Sequence, residues 1–76
     1  MTSGRKGSPP TTLASRLRHL RESAGMSQAE MAKRVMTGAN RISDYELGRH
    51  EPSLVVLRRY AGTFGTTLSS LLDGVP

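Results

Sequence analysis

The polar side chains between Ala39 and Leu47 are the residues whose types and spacing could do chemistry in this chain. Asn40, Arg41 and Asp44 fall within about one helical turn of each other. An asparagine amide can bind the edge of adenine through two hydrogen bonds, and an arginine guanidinium can bind guanine in the same way. An ordinary solvated surface has a similar composition, so the meaning of the pattern depends on the elements that position it.

A helix through this segment would place its polar and apolar residues on different sides. At about 100° per residue, Ile42 and Tyr45 share the side that would face a core, with Glu46 beside them. The opposite side would present Asn40, Asp44 and Leu47, flanked by Arg41 and Ser43. An α-helix fits the major groove of duplex DNA, and residues near the N-terminus of such a helix usually probe the base edges.

Asp44 needs its own explanation, because a carboxylate near phosphates is repelled. It would be tolerated if it accepts a hydrogen bond from a cytosine amino group. It would also be tolerated if it pairs with Arg41, three residues earlier on the helix. We favour the pair, because it would also orient the guanidinium.

Glu46 lies close to the predicted core side, where an unpaired carboxylate is costly. Arg21, at the end of the first predicted helix, is its natural partner. Such an ion pair would tie the first helix to the third. It is weak evidence for net stability, but removing one partner should be harmful.

The first two helices are predicted from apolar spacing and end signals. Leu13, Leu17, Leu20 and Ala24 form one stripe, with Thr12 as N-cap and Gly25 at the end. Ser27 and Glu30 form a capping box for the second helix, which runs to about Val35. Met26 and Met31 form the hydrophobic staple that accompanies it.

Three further helices follow, and no strand is predicted. The third helix covers about Ala39 to Leu47 and ends at Gly48, and the fourth begins after Ser53. The inner face of the fourth helix consists of Leu54, Leu57, Tyr60, Ala61 and Phe64. A short fifth helix after Thr67 carries Leu68, Leu71 and Leu72. The expected fold is therefore an all-α, five-helix domain.

The composition limits the classes of function. The chain has 76 residues, enough for one domain, and no cysteine, which excludes disulfides and thiolate metal sites. His19 and His50 are too few and too scattered for a closed zinc site, so no metal or cofactor is expected. No catalytic triad is brought together by the helical pattern, and no glycine-rich phosphate loop is present, so an enzyme is not expected.

The charge favours a polyanionic partner. Eleven basic and six acidic residues give a net charge of +5, and without Arg5 and Lys6 nine basic residues still face the same six acids. A soluble basic protein without such a partner is the alternative. Residues 1–12 are expected to form a disordered basic tail and residues 13–76 the domain. No apolar run is long enough for a membrane span, and no signal core is present, so a cytoplasmic, nucleoid-associated protein is expected.

The chain resembles the phage-repressor and Cro-type helix-turn-helix family from about Leu13 to Leu72, without gaps. The matching residues are Leu17-Arg18-His19-Leu20-Arg21, Gly25-Met26-Ser27-Gln28, Met31-Ala32, Ile42-Ser43, Tyr45-Glu46-Leu47-Gly48, Pro52-Ser53-Leu54, Leu57, Ala61, Phe64-Gly65, Leu68 and Leu71-Leu72. Each piece alone is weak, but the ordered set is highly specific. The resemblance implies a DNA-binding domain in which helices two and three form the motif.

The resemblance also implies roles for individual residues. Base contact would come from Asn40, with Ala39, Arg41 and Asp44 at the other reading positions and Ser43 beside them. Phosphate contact would come from Ser27 and Gln28 at the start of the second helix, and from Arg49 and His50 after the third. The tie between Arg21 and Glu46 is also a feature of the family.

The chain departs from the family pattern at Met36 and at Val55 and Val56, and Gly62 weakens the fourth helix by about 0.5–1 kcal/mol relative to alanine. Met36 stands where members usually have glycine, and a left-handed methionine would cost about 1 kcal/mol. Gly38, two residues later, is expected to relieve that strain. Val55 and Val56 stand where polar residues are usual, and they would form either an apolar patch for a partner or scattered surface residues.

These observations favour a sequence-specific regulator of transcription that binds double-stranded DNA as a homodimer, with Leu71, Leu72 and Val75 as the candidate interface. One alternative is a DNA-binding antitoxin or accessory subunit that also binds a protein, through the N-terminal tail or through Val55 and Val56. Another is a protein–protein adaptor that has lost DNA binding, for which Asp44 and Leu47 on the outer face are the best support.

Overall fold

The computed structural model describes residues 12–73, and these are all-α as predicted. The five helices are α1 (Leu13–Ser23), α2 (Gln28–Val35), α3 (Ala39–Leu47), α4 (Leu54–Thr63) and α5 (Leu68–Leu72). The predicted basic tail lies outside the described residues except for Thr12, and so does Val75 of the predicted dimer interface. In the described range, no helix is long and apolar enough to cross a membrane.

Side chains cap the N-termini of four of these helices. Thr12 and Ser27 form capping boxes with Ser15 and Glu30, which satisfy amides that the helix itself leaves unpaired. The hydroxyls of Ser53 and Thr67 accept from the backbone amides of Val56 and Ser70 in the same way. The helix starts predicted from these residues are therefore confirmed, while α3 begins at Ala39 after Gly38, which supplies no side-chain cap.

The first four helices are followed by the same left-handed turn. Glycine occupies the left-handed position after α1, α3 and α4, with φ between +63° and +75° at Gly25, Gly48 and Gly65. After α2 the position belongs to Met36, at φ 59° and ψ 51°, and the amide of Thr37 donates to the carbonyl of Ala32 at 2.9 Å. Gly38 has an ordinary φ of −93°. The expectation that Gly38 relieves the turn is therefore wrong.

The core lies where α3 packs against α1 and α2, and where α4 packs against α2 and α5. Its buried apolar residues are Leu17, Met31, Ala32, Val35, Ile42, Tyr45, Leu57, Tyr60, Ala61 and Leu71. The staple residue Met26 is partly buried against this cluster. The core side predicted for α3 is confirmed, since Ile42 and Tyr45 are buried.

Two predictions from apolar spacing are wrong. Ala24 is exposed because it follows the last residue of α1. Leu54 is 51% exposed, because helical side chains lean toward the N-terminus and that of a first residue projects past the helix end. Of the two alternatives for Val55 and Val56, the shared apolar patch is not formed, since Val56 packs against the core while Val55 is 53% exposed.

The predicted dimer interface also needs correction at Leu71. This side chain is 2% exposed and belongs to the core of the single chain, so it cannot contact a partner. The Arg16 guanidinium donates to the Leu71 carbonyl at 3.2 Å and to the Asp73 carbonyl at 2.8 Å. These bonds hold the end of α5 against α1, while Leu72 is half-buried.

We expect Met36→Gly to stabilise the fold. Relief of the left-handed strain is worth about 1–2 kcal/mol, and the greater freedom of glycine in the unfolded chain offsets about 0.4–1 kcal/mol of it. Met36 is 73% exposed, so little packing is lost. Urea denaturation should show a net gain of about 0.8 kcal/mol, the difference between the midpoints of the two estimates.

Met36→Ala is the matched control, because alanine has the same backbone strain as methionine and removes the same exposed side chain. Its free energy of unfolding should stay close to that of the parent. An equal gain in both variants would show that the exposed side chain, not the backbone, is responsible.

Candidate nucleic-acid interface

A buried ion pair joins the first helix to the third. The Arg21 Nε donates to Glu46 Oε2 at 2.7 Å, and Nη2 donates to Glu46 Oε1 at 2.9 Å. The side chains are 12% and 3% exposed, respectively. The two parallel bonds match the planar fork of the guanidinium to the carboxylate. The pair expected from the sequence is present, with a geometry that fixes the angle of both side chains.

Two further hydrogen bonds extend this pair to the second helix. The Arg21 Nη1 donates to the carbonyl of Met26 at 2.8 Å, in the turn between α1 and α2. The Gln28 Nε2 donates to Glu46 Oε1 at 3.2 Å. We call Arg21, Met26, Gln28 and Glu46 the buried polar cluster. The bond to Glu46, with its charge, raises the pKa of Arg21. The cluster therefore holds the start of α2 and the whole of α3 in one arrangement.

We expect Glu46→Leu to lower the free energy of unfolding by about 3–5 kcal/mol, because the guanidinium of Arg21 would be left buried without its partner. The double variant Arg21→Met with Glu46→Leu should recover most of that loss, since apolar residues of similar volume can replace a buried ion pair. Urea denaturation at low temperature measures both changes.

Arg18→Met is the control, because Arg18 makes an exposed pair with Glu22 at 3.1 Å. Its loss should stay below about 1 kcal/mol. If the double variant is as unstable as Glu46→Leu alone, the stability comes from the hydrogen bonds to Met26 and Gln28 and not from the avoidance of an unpaired charge.

The start of α2 presents the residues expected to touch phosphate. Ser27 is exposed, and its hydroxyl is used by the capping box. Gln28 is half-buried, and one N–H of its amide is directed to Glu46. A carboxamide nitrogen carries two hydrogens, so the second N–H can bond to another acceptor. The buried polar cluster therefore orients an amide donor at the N-terminus of a helix, where the dipole also favours an anion.

The outer side of α3 presents the predicted base-reading residues. Ala39, Asn40 and Arg41 are exposed, while Ser43 and Asp44 are half-buried. Leu47, on the same side, is 58% exposed. The opposite side is buried, so α3 offers its polar edge to any partner that approaches.

The expected ion pair between Arg41 and Asp44 is not present among the described residues. The Arg41 Nη1 lies 2.7 Å from His50 Nε2 instead. The left-handed turn at Gly48 returns the chain toward α3, and His50 lies with its ring 6.2 Å from that of Tyr45. Helical spacing could not reveal this contact, because it crosses the turn that ends the helix.

Arg49 and His50 follow α3 in an exposed loop. The amide of Arg49 donates to the carbonyl of Asp44 at 2.9 Å, so the loop starts at a defined position. The structure therefore brings a predicted base-reading residue, Arg41, into contact with a predicted phosphate-binding residue, His50. Within residues 12–73, no group of His, Cys, Asp and Glu could hold a metal ion.

Comparison with known proteins identifies the motif. The family described as "Helix-turn-helix domain" matches residues 12–72. The chain belongs to this helix-turn-helix family, and α2 and α3 with the Met36 turn form the motif. The resemblance to phage repressors noted in the sequence is confirmed.

One similar protein is DdrOP3 of Deinococcus deserti, an HTH-type transcriptional regulator. It is 40% identical over 63 residues, which are 83% of this chain and 49% of that protein. The chain therefore spans about half the length of this curated relative.

Two solved structures show the range of proteins that contain this fold. The P22 c2 repressor protein, in complex with a synthetic operator, has a TM-score of 0.77 and 25% identity, over 86% of this chain and 98% of that chain. Hydroxypropylphosphonic acid epoxidase from S. wedmorenis has a TM-score of 0.69 and 29% identity, over 80% of this chain and 32% of that chain. The fold also forms part of an enzyme, so the fold alone does not define the function.

Proposed function

We propose that this chain is a transcriptional regulator that binds double-stranded DNA and reads its sequence with α3 in the major groove. The main support for this proposal is the exposed polar edge of α3. The buried polar cluster holds this edge at a fixed position relative to the start of α2. The similarity to a repressor in complex with its operator supports the same assignment.

Phosphate contacts would come from both ends of the motif. Gln28 and the N-terminus of α2 lie before α3 in the chain, and Arg49 and His50 lie after it. Contacts on both sides of a helix set its register in the groove without carrying sequence information. The net charge of +5 adds a sequence-independent attraction to the phosphate backbone.

Base choice would come from the outer side of α3. Asn40 is exposed near the start of the helix, where its amide could bind adenine through two hydrogen bonds. Arg41 would bind guanine, and Asp44 would accept from a cytosine amino group, since it does not pair with Arg41. Ala39 and Ser43 would complete the contact surface.

The proposal includes a homodimer on DNA, because one α3 reads only a few base pairs. Two copies related by a two-fold axis would place their helices about 34–36 Å apart, one turn of the duplex. With Leu71 in the core, the predicted interface keeps Leu72 and Val75. The bound site should then be an inverted repeat.

A DNA-binding regulator is favoured over the two alternatives. Val56 packs against the core, so the valine patch that would bind a partner in an accessory subunit is reduced to Val55. The N-terminal tail, the other candidate for that contact, lies outside the described residues. An adaptor that has lost DNA binding should lack DNA-binding groups on the α3 face. Such groups remain exposed beside Asp44 and Leu47, namely Asn40, Arg41 and Arg49.

A titration of fluorescent random duplex at two salt concentrations tests DNA binding itself. Counterion release predicts that each phosphate contact lowers log K by about 0.9 per unit of log salt. Binding should therefore weaken steeply between about 50 and 200 mM salt. If no salt-sensitive binding occurs, the regulator proposal fails and the adaptor is favoured.

We expect Asn40→Ala to relax sequence preference at a single base position by about 1–3 kcal/mol, because one pair of hydrogen bonds to a base edge is lost. The measurement is a selection of bound duplexes from a random library with each variant. An unchanged profile would exclude Asn40 as a base-reading residue.

Gln28→Ala is the matched comparison, because it removes an amide at the proposed phosphate contact. It should weaken binding to all duplexes by a similar factor and leave the selected profile unchanged. A changed base preference in this variant would contradict the division between phosphate and base contacts.

A further inference from the structure

The contact between Arg41 and His50 requires one protonation state of the imidazole. A guanidinium has only donors, so His50 Nε2 must accept in a 2.7 Å bond to Arg41 Nη1. This bond therefore requires a neutral imidazole with its hydrogen on Nδ1. When the ring is protonated, Nε2 carries a hydrogen, and the bond is replaced by two adjacent positive charges.

His50 is supported from the side of the protein core. Its ring lies beside that of Tyr45, with 6.2 Å between the ring centres, and Tyr45 is itself buried. Tyr45 is four residues after Arg41 on α3, so the same helix supplies both the ring that faces His50 and the guanidinium that binds it. The loop side chain is therefore well placed to hold an arginine on the outer side of α3.

We propose that His50 is a positioning residue for Arg41: its neutral ring holds the guanidinium along α3, and protonation of the ring releases it. This inference rests on the proposed function, because Arg41 acts there as a base-reading residue. A long side chain that is ordered before binding loses less conformational entropy when it binds. Base discrimination by Arg41 should therefore be higher when His50 is neutral.

The ionisable side chains around His50 come from α3 and from its own loop. Arg41 and Tyr45 face it from α3, and Arg49 and Glu51 are its neighbours in the loop. It also shares a cleft with Thr12, the N-cap of α1, and with Leu13 and Ala14 in that helix, and none of these three has an ionisable side chain. Histidine is the side chain that ordinarily changes charge between about pH 5 and 8. Protonation of His50 would therefore have two opposite effects on DNA binding. The new positive charge would attract phosphate, whereas the Arg41 guanidinium would lose its hydrogen-bond acceptor.

The two effects give a signature that partial unfolding would not produce. Affinity for random duplex should stay constant or rise on acidification, while discrimination at the Arg41 base position falls. A loss of folded protein would lower both affinities together. The ratio of the two dissociation constants is therefore the informative quantity.

The experiment uses the full chain and two duplexes. The first duplex carries the site that the unmodified chain selects. The second differs from the first at the one base position at which the Arg41→Ala variant loses its sequence preference. Fluorescence anisotropy at about pH 8 and about pH 5.5, at constant ionic strength, gives the ratio of dissociation constants. We expect the ratio to fall by about 3–10-fold at the lower pH, part of the discrimination available to one bidentate contact.

Three variants separate the explanations. His50→Gln retains an oxygen acceptor that does not titrate, so its ratio should stay high at both pH values. His50→Ala should have the low ratio at both. His19→Gln changes the other histidine, which lies on the exposed side of α1, and should retain the pH dependence of the parent.

The inference is overturned if His50→Gln shows the same pH-dependent loss as the unmodified chain. Nitrogen NMR of the free protein gives a test without DNA. At about pH 8 the Nδ1–H tautomer of His50 should dominate, and Arg41→Ala should reduce its population. An unchanged tautomer population in Arg41→Ala would also overturn the inference. If the chain shows no salt-sensitive DNA binding, the proposed function fails instead. The tautomer measurement then shows by itself whether His50 binds Arg41.

Discussion

The ion pair between Arg21 and Glu46 is the interaction on which the rest of the structure depends. Its bidentate bonds join α1 to α3, and the bonds to Met26 and Gln28 add the turn and the start of α2. A buried carboxylate is costly unless its oxygens are satisfied. Because Arg21 and Gln28 must both be in place to satisfy Glu46, and Arg21 also bonds to the Met26 carbonyl, the cluster restricts α2 and α3 to one relative position.

That restriction matters because the proposed interface is divided between elements. A phosphate contact at the start of α2 and base contacts along α3 can form together only if the two helices keep their spacing. The apolar core buries the inner side of α3 but is non-directional. The polar cluster supplies the directional contacts, and it also orients the amide of Gln28.

The proposed interface includes two kinds of residues. Asn40 is exposed on a helix whose other side is buried, so helical spacing alone predicts its position. Arg41 is on the same helix, but its guanidinium is held by His50 from the following loop. The position of the Arg41 guanidinium therefore depends on the path of the chain after Gly48, and no periodic sequence pattern describes that path.

The sequence by itself determined the five helices, their capped starts, the core side of α3 and the partner of Glu46. These depend on local hydrogen bonds and on a regular helical period, both of which are visible in residue types and spacing. Met36 was also marked by the sequence as an unusual residue at a left-handed position.

The structure decided that Met36, and not Gly38, adopts that conformation. It also placed Leu71 in the core, left Leu54 exposed and paired Arg41 with His50. Those outcomes depend on where helix ends and loops meet in space, and so on contacts between residues that no local pattern relates.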